Sequence, residues 1–270
     1  MPADVKELLQ QGKVQETIQT LTQYLREHPA DTARRTFLFE LLCFAGEYAR
    51  AEKQLAVLAS GSPEKETGSV VYYAALHAEK DRHALFEKKN FPESSKASGP
   101  GELNGKPFQD LRDADPAIGA RLEVFAAGAY LWLPFVHIDS VEMEAPKRLR
   151  DTLWAPAMVR AAASFQEKDL GEVLLPAVYP FSWQFEDAEE LWLGRSTEVF
   201  RDENGREVWA GQKPCSSMGR SFHFSRCAAC ASPTRWRPRN EHSERPIGEP
   251  QRATSRRSAQ SYCRRKPFRH

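Results

Sequence analysis

Cysteine is nearly absent from most of this 270-residue chain: Cys43 stands alone before residue 214, and Cys215, Cys227, Cys230 and Cys263 all follow it. A body with one cysteine has no disulfide framework and suits a reducing compartment. No stretch approaches the 18 or so consecutive apolar residues of a membrane span, so no membrane association is expected. The opening MPADVKELLQQGK lacks a basic segment followed by an apolar run, which argues against a secretory signal and for the cytoplasm. The chain also lacks a GxxxxGK phosphate loop, a nucleophile elbow and paired metal-binding histidines on one helix. Catalytic residues, cofactors and metal sites are accordingly expected to be none, and the chain reads as a non-enzymatic interaction protein.

Charge is present but unevenly spread. The net charge of +1 combines a segment from 214 to 270 with 13 basic and 3 acidic residues and a preceding body with 25 basic and 34 acidic residues. Arginine supplies 12 of the 13 basic groups in the ending, whereas the body holds 13 Arg and 12 Lys.

The clearest regularity is a period of 34. Leu8 matches Leu42, Gly12 matches Gly46, Leu21 matches Leu55 and Pro29 matches Pro63. This is the spacing of tetratricopeptide-type helix pairs, whose apolar faces are buried only by stacking on neighbours. Asp4 is placed to cap a helix running to about Gln11, which Gly12 ends. Val14, Ile18, Leu21 and Leu25 share a helical face up to His28-Pro29. Asp31 or Thr32 opens the next helix, with a stripe of Phe37, Leu38, Leu41, Leu42 and Ala45; Tyr48, Ala51, Leu55 and Leu58 come after Gly46. Leu76 continues the series, but Lys80 stands where glycine is due, so residues 66–90 read as a capping helix or degenerate last repeat that leans on the second domain for support. Residues 91–110 read as a linker or exposed loop, since Asn90 to Pro107 contains three prolines and three glycines.

From Ile118 the pattern becomes strand-like. Leu122, Val124 and Ala126 alternate with Glu123 and Phe125, Ala127-Gly128 turns the chain, and Tyr130, Trp132 and 135–143 complete an expected three-stranded meander. A helical turn is expected over Leu149 to Trp154, and strands over Ala157 to Phe165 and Glu172 to Val178. Asn204-Gly205 signals a hairpin between Thr197 to Phe200 and Glu207 to Ala210. The whole is α+β: tetratricopeptide-like helices over 1–90, then a smaller mixed β-rich domain over 111–213, with 214–270 as a basic, low-order tail.

Three stretches carry a family resemblance: LRDTLWAPAMVR (Leu149 to Arg160), DLGEVLLPAVYP (Asp169 to Pro180) and AGQK (Ala210 to Lys213), preceded by RLEVFAAGAYLWLPFVHIDSVEME. Over residues 1–213 the chain resembles the ImpE family, also called TagJ, accessory proteins of bacterial type VI secretion systems. The resemblance implies an adaptor that binds the small subunit of the contractile sheath and is linked to the ClpV-type ATPase that disassembles it. A concave repeat surface can accept a partner helix laid along it, and its inner face comes mostly from the first helix of each pair. Arg34, Arg35 and Glu40 are the polar positions expected to be exposed there. After Lys213 the sequence departs from the family pattern, and its arginine-rich ending reads as an out-of-frame continuation.

Sharper chemistry is weighed against this reading. Cys227 and Cys230, with His223 and Cys215 near, have the spacing of half a zinc site, but a second pair is missing. His77-Ala-Glu79 ahead of that pair matches a zinc deaminase only superficially. Trp236 between Arg235 and Arg237 could stack on a base, so a basic-tailed nucleic-acid binder is an alternative, though nucleic acid is not the expected partner. Trp132, Trp154, Trp183 and Trp192 would serve a ligand pocket in an enzyme or ligand-binding second domain; core packing is the commoner use of such aromatics. His137 reads as structural.

Overall fold

A computed structural model describes residues 3–60, 62–89, 91–93, 97–162, 165, 170–185, 188–217, 220–223 and 234–238. One compact unit extends from Met1 to Arg239, and within it the helices pack on the strand-rich half. Residues 240–270 fall to a second unit that lies outside the described residues.

The helices are α1 (Ala3–Gln10), α2 (Val14–Glu27), α3 (Thr32–Phe44), α4 (Tyr48–Ala59) and α5 (Pro63–Lys88). Asp4 lies inside α1 rather than capping it. The Asp31 carboxylate caps α3 by accepting from the Arg34 amide at 3.0 Å, and Ser62 with Pro63 opens α5. Because Lys80 replaces the due glycine, the third unit never turns, and α5 runs straight through 26 residues as one long closing helix. The α3 stripe is broader than expected: Phe39, Glu40, Cys43 and Phe44 are buried along with Leu38, Leu41 and Leu42, because this helix is covered from several sides.

The strands are β1 (Gly101–Leu103), β2 (Lys106–Phe108), β3 (Arg112–Asp113), β4 (Arg121–Ala126), β5 (Ala129–Pro134), β6 (Ile138–Met143), β7 (Trp154–Ala161) and β8 (Gly171–Pro176). After the short helix α6 (Glu189–Trp192) come β9 (Thr197–Arg201), β10 (Glu207–Gly211), β11 (Pro214–Ser217), β12 (Arg220–His223) and β13 (Thr234–Pro238). The main sheet is antiparallel in the order β2-β1-β13-β6-β7-β8-β4-β5; β9 with β10 and β3-β11-β12 form smaller sheets. The β4–β5 turn at Ala127-Gly128 and the β9–β10 hairpin appear where the turn residues place them. The meander does not, since β6 pairs with β7 and β13 and not with β5. The segment expected as a linker carries the β1–β2 hairpin. Within the ending, β13 supplies the partner that both β1 and β6 need for their backbone groups.

Two apolar clusters result. One merges helix residues such as Ile18, Leu42 and Leu76 with Trp154, Val178, Leu191 and Trp192 of the second half. The other fills the opposite face of the sheet, from Leu103 through Leu122, Val141 and Val159 to Leu175. Because β4 lies between the two, both of its faces are buried, and the alternation of Glu123 and Phe125 with Leu122 and Val124 does not separate core from solvent.

Candidate functional site

The repeat stack meets the chain's own second half at three points. The first is built on the period-34 glycines. Both occupy the left-handed region, Gly12 at φ +80° and Gly46 at φ +69°, and both seat a side chain of the segment 183–190. A Cβ at Gly46 would overlap the Trp183 indole, and one at Gly12 would lie 2.7 Å from the Glu190 carboxylate. Beside them Glu189 accepts from the amides of Val14 and Gln15 at the start of α2, where Lys13 provides no side-chain cap. The Arg195 guanidinium donates to the Leu9 carbonyl at 2.8 Å.

At the second point Arg150, in the 3₁₀ turn Leu149–Thr152, donates to Glu40 at 2.8 Å and lies 4.5 Å from the centre of the Tyr72 ring. Burial pushes the Glu40 carboxyl up, and Arg150 only partly reverses this. Glu40 is 6% exposed. The exposure expected of it is not found, and sequence could not reveal this because its cation stands 110 residues away. Arg34 and Arg35 are half-buried and already engaged: Arg34 pairs with Asp31 and lies over Tyr24, while Arg35 donates to Gln54 at 2.7 Å and to the Pro29 carbonyl at 2.8 Å.

The third point is a dehydrated charge network between α5 and the sheet. Arg82 donates to Glu79 at 2.9 Å, to Glu123 at 2.8 and 3.2 Å, and to the Val178 carbonyl at 3.0 Å. Lys213 bonds Glu123 and lies 2.8 Å from Asp113. Trp154 donates to Glu79 at 2.9 Å, Tyr179 to Asp113 at 2.9 Å, and Tyr130 to Glu123. Burial alone would raise both glutamates. The cations reverse it: Arg82 and its neighbours hold Glu79 at about 2, and Arg82 with Lys213 holds Glu123 at about 2. Desolvation raises Asp113 despite Lys213, and it brings the nearby Asp115 up to about 6. A cavity of about 10 Å³ beside Lys213, Asp113 and Arg121 has room for about one water. Such a network fastens two layers; its charges are spent on one another.

The four tryptophans do not converge on one pocket. Trp132 sits among Phe86, Phe91 and Arg121, Trp154 serves the network, Trp183 covers Gly46, and Trp192 donates to the Phe185 carbonyl at 3.1 Å. His137 belongs to the 3₁₀ turn Phe135–His137 and packs on Phe165 at 5.4 Å. His77 is exposed on α5 and faces Asp81, while Glu79 is buried in the network. Cys227, Cys230 and Cys263 lie outside the described residues; among the described residues no group of three or more potential metal ligands occurs.

Comparison with known proteins accords with this architecture. A tetratricopeptide repeat model matches residues 8–79, and the model described as ImpE protein matches residues 105–230. The chain is 31% identical over 232 residues to the type VI secretion system accessory component TagJ of Pseudomonas aeruginosa, covering 72% of this chain and 79% of that protein. The chain belongs to the ImpE family. Its family match continues past Lys213 to residue 230, so the departure expected at 214 is less abrupt than composition suggested. The crystal structure of protein VPA1032 from Vibrio parahaemolyticus superposes with a TM-score of 0.75 at 19% identity, over 89% of this ImpE chain and 99% of the other. That likeness supports the fold alone.

Proposed function

We propose that this protein is a non-enzymatic accessory component of a bacterial type VI secretion system, an adaptor that binds the sheath small subunit and couples it to ATPase-driven sheath disassembly. The observation that carries the reading is the 31% identity with TagJ across 79% of that protein's length. The tetratricopeptide match over 8–79 supports a role in protein recognition. The adaptor acts in the cytoplasm; no helix among the described residues is long and apolar enough to cross a membrane.

The occupied inner face changes where the partner sits. Arg150 already packs on Glu40 of α3 and Tyr72 of α5, where a partner helix laid along the first helices of the pairs would lie. The partner helix therefore docks on the outward faces of the stack, with Arg34 and Arg35 within reach at the beginning of α3. Capture of purified sheath small subunit by the full chain tests this. Saturable binding that weakens on Arg34→Glu with Arg35→Glu is expected, together with faster sheath disassembly when the ATPase and this protein are both present. Absence of any binding by the folded chain would overturn the adaptor reading.

A further inference from the structure

The edges of the sheets differ in how they are protected. At one end of the main sheet, β2 carries Lys106 and Pro107; in the separate hairpin, β9 carries Glu198 and Arg201, and β10 carries Glu207. Charge and proline are the usual means of keeping an edge from pairing. At the opposite end of the main sheet β5, Ala-Tyr-Leu-Trp-Leu-Pro, has no charged residue, and proline appears only at its last position. Among the described residues β4 is its only strand neighbour.

The register of the β4–β5 hairpin shows which groups this edge presents. A two-residue turn at Ala127-Gly128 is flanked by the pair Ala126 and Ala129, which in such hairpins is the hydrogen-bonded one. Ala129, Leu131 and Leu133 therefore face β4 with their backbone groups, and Tyr130 and Trp132 direct theirs outward. Both outward residues are held in place: Tyr130 donates to Glu123 in the charge network, and Trp132 is stacked on Phe91 and covered by Arg121 at 4.5 Å. The edge is thus rigid before anything pairs with it, which lowers the ordering cost of association.

We propose that β5 pairs antiparallel with the β5 of a second copy of this chain, about a two-fold axis through Leu131. An antiparallel pair related by such an axis places a residue opposite its own copy. With Leu131 on the axis, Tyr130 faces the copy's Trp132, and all four outward N–H and C=O groups on each strand are satisfied. Centring the axis on Trp132 instead sets Tyr130 against Pro134, which has no N–H, and leaves a carbonyl unpaired. Leu131 is 41% exposed and would be covered by its equivalent. Val136 just beyond the strand is also exposed, and α5 passes beside the turn, Ala74 lying 3.5 Å from a Cβ at Gly128 and the His77 ring 3.3 Å from the Gly128 carbonyl. No like charges meet in this arrangement, and aromatic and aliphatic cross-strand pairs favour it. In a two-fold pair each β5 edge is covered by its copy, so association through this edge closes at two copies. Six residues a side make a small interface, so dimerisation is concentration-dependent.

Sedimentation velocity of the full chain across about two decades of concentration around the micromolar range tests this. The expected result is a monomer that converts to a dimer as concentration rises. Leu131→Lys, which sets two ammonium groups face to face on the axis, should abolish the dimer with an unchanged melting temperature, while Glu198→Lys on β9 should leave it intact. The axis itself is tested by Leu131→Cys, whose Cα atoms would lie within about 5 Å of one another and form an intermolecular disulfide, against Ala129→Cys, which should not. A chain that is monomeric throughout, a dimer unaffected by Leu131→Lys, or equal cross-linking at both cysteines would overturn the proposal.

Discussion

The two ends of the helical stack are fastened to the sheet region by opposite chemistry. At the α1–α2 and α3–α4 turns the contact rests on absence: glycines at 12 and 46 leave room for Glu190 and Trp183, and backbone groups are capped by Glu189 and Arg195, the Arg150–Glu40 pair on α3 being the one buried ion pair described on this side. At α5 it rests on charge, with Arg82, Glu79, Glu123, Lys213 and Asp113 dehydrated together. The first kind of contact leaves a mark at fixed spacing in the sequence. The second joins Glu123 to cations 41 and 90 positions away and leaves none.

The strongest way to break this contrast is at Arg82. Arg82→Met leaves three buried carboxylates with one cation, Lys213, and the loss of stability in a denaturant melt should be about 3–5 kcal/mol. Gly46→Ala comes next, at about 2–4 kcal/mol, because the new methyl collides with an indole on a backbone at φ +69°. Gly12→Ala should cost less, about 1–2 kcal/mol, since the Glu190 side chain can swing aside and only the backbone strain at φ +80° remains. Equal losses at the two glycines, read from paired melts, would remove the distinction between a rigid and a yielding neighbour.

Acidity separates the halves more gently. Glu79 and Glu123 titrate at about 2 in the fold against about 4.3 when unfolded. Their contribution is full above the unfolded value and is lost as pH falls through about 2. Asp115 behaves oppositely: raised to about 6, it makes the fold less stable as pH climbs from about 4 to about 6. Asp115→Asn should flatten that part of a stability-against-pH curve and add about 1–2 kcal/mol at neutral pH, while leaving the acid limb unchanged.

Legibility followed the same division. Leu8, Gly12 and their equivalents 34 positions on announced the helix pairs, and Ala127-Gly128 and Asn204-Gly205 announced hairpins, because each depends on local backbone preference. Lys80 in place of glycine foretold that the third unit would not turn, although not that α5 would run for 26 residues. Glu40 misled, since a carboxylate in a helix reads as solvent-facing until Arg150 is known to cover it. Glu123 misled for a related reason: strand alternation marks the solvent face only where one face is wet, and α5 with Arg82 covers it. The placement of β13 between β1 and β6 had no local signal, since its pairing partners are more than 90 residues away.

Helices and sheet form one cooperative body in which the second half of the chain packs on the repeat stack. Urea unfolding of the full chain, followed by far-ultraviolet circular dichroism for the helices and by tryptophan fluorescence for the junction, measures this directly. A single transition with coincident midpoints is predicted; helices that persist after the tryptophan signal has changed, or melt before it, would contradict the account.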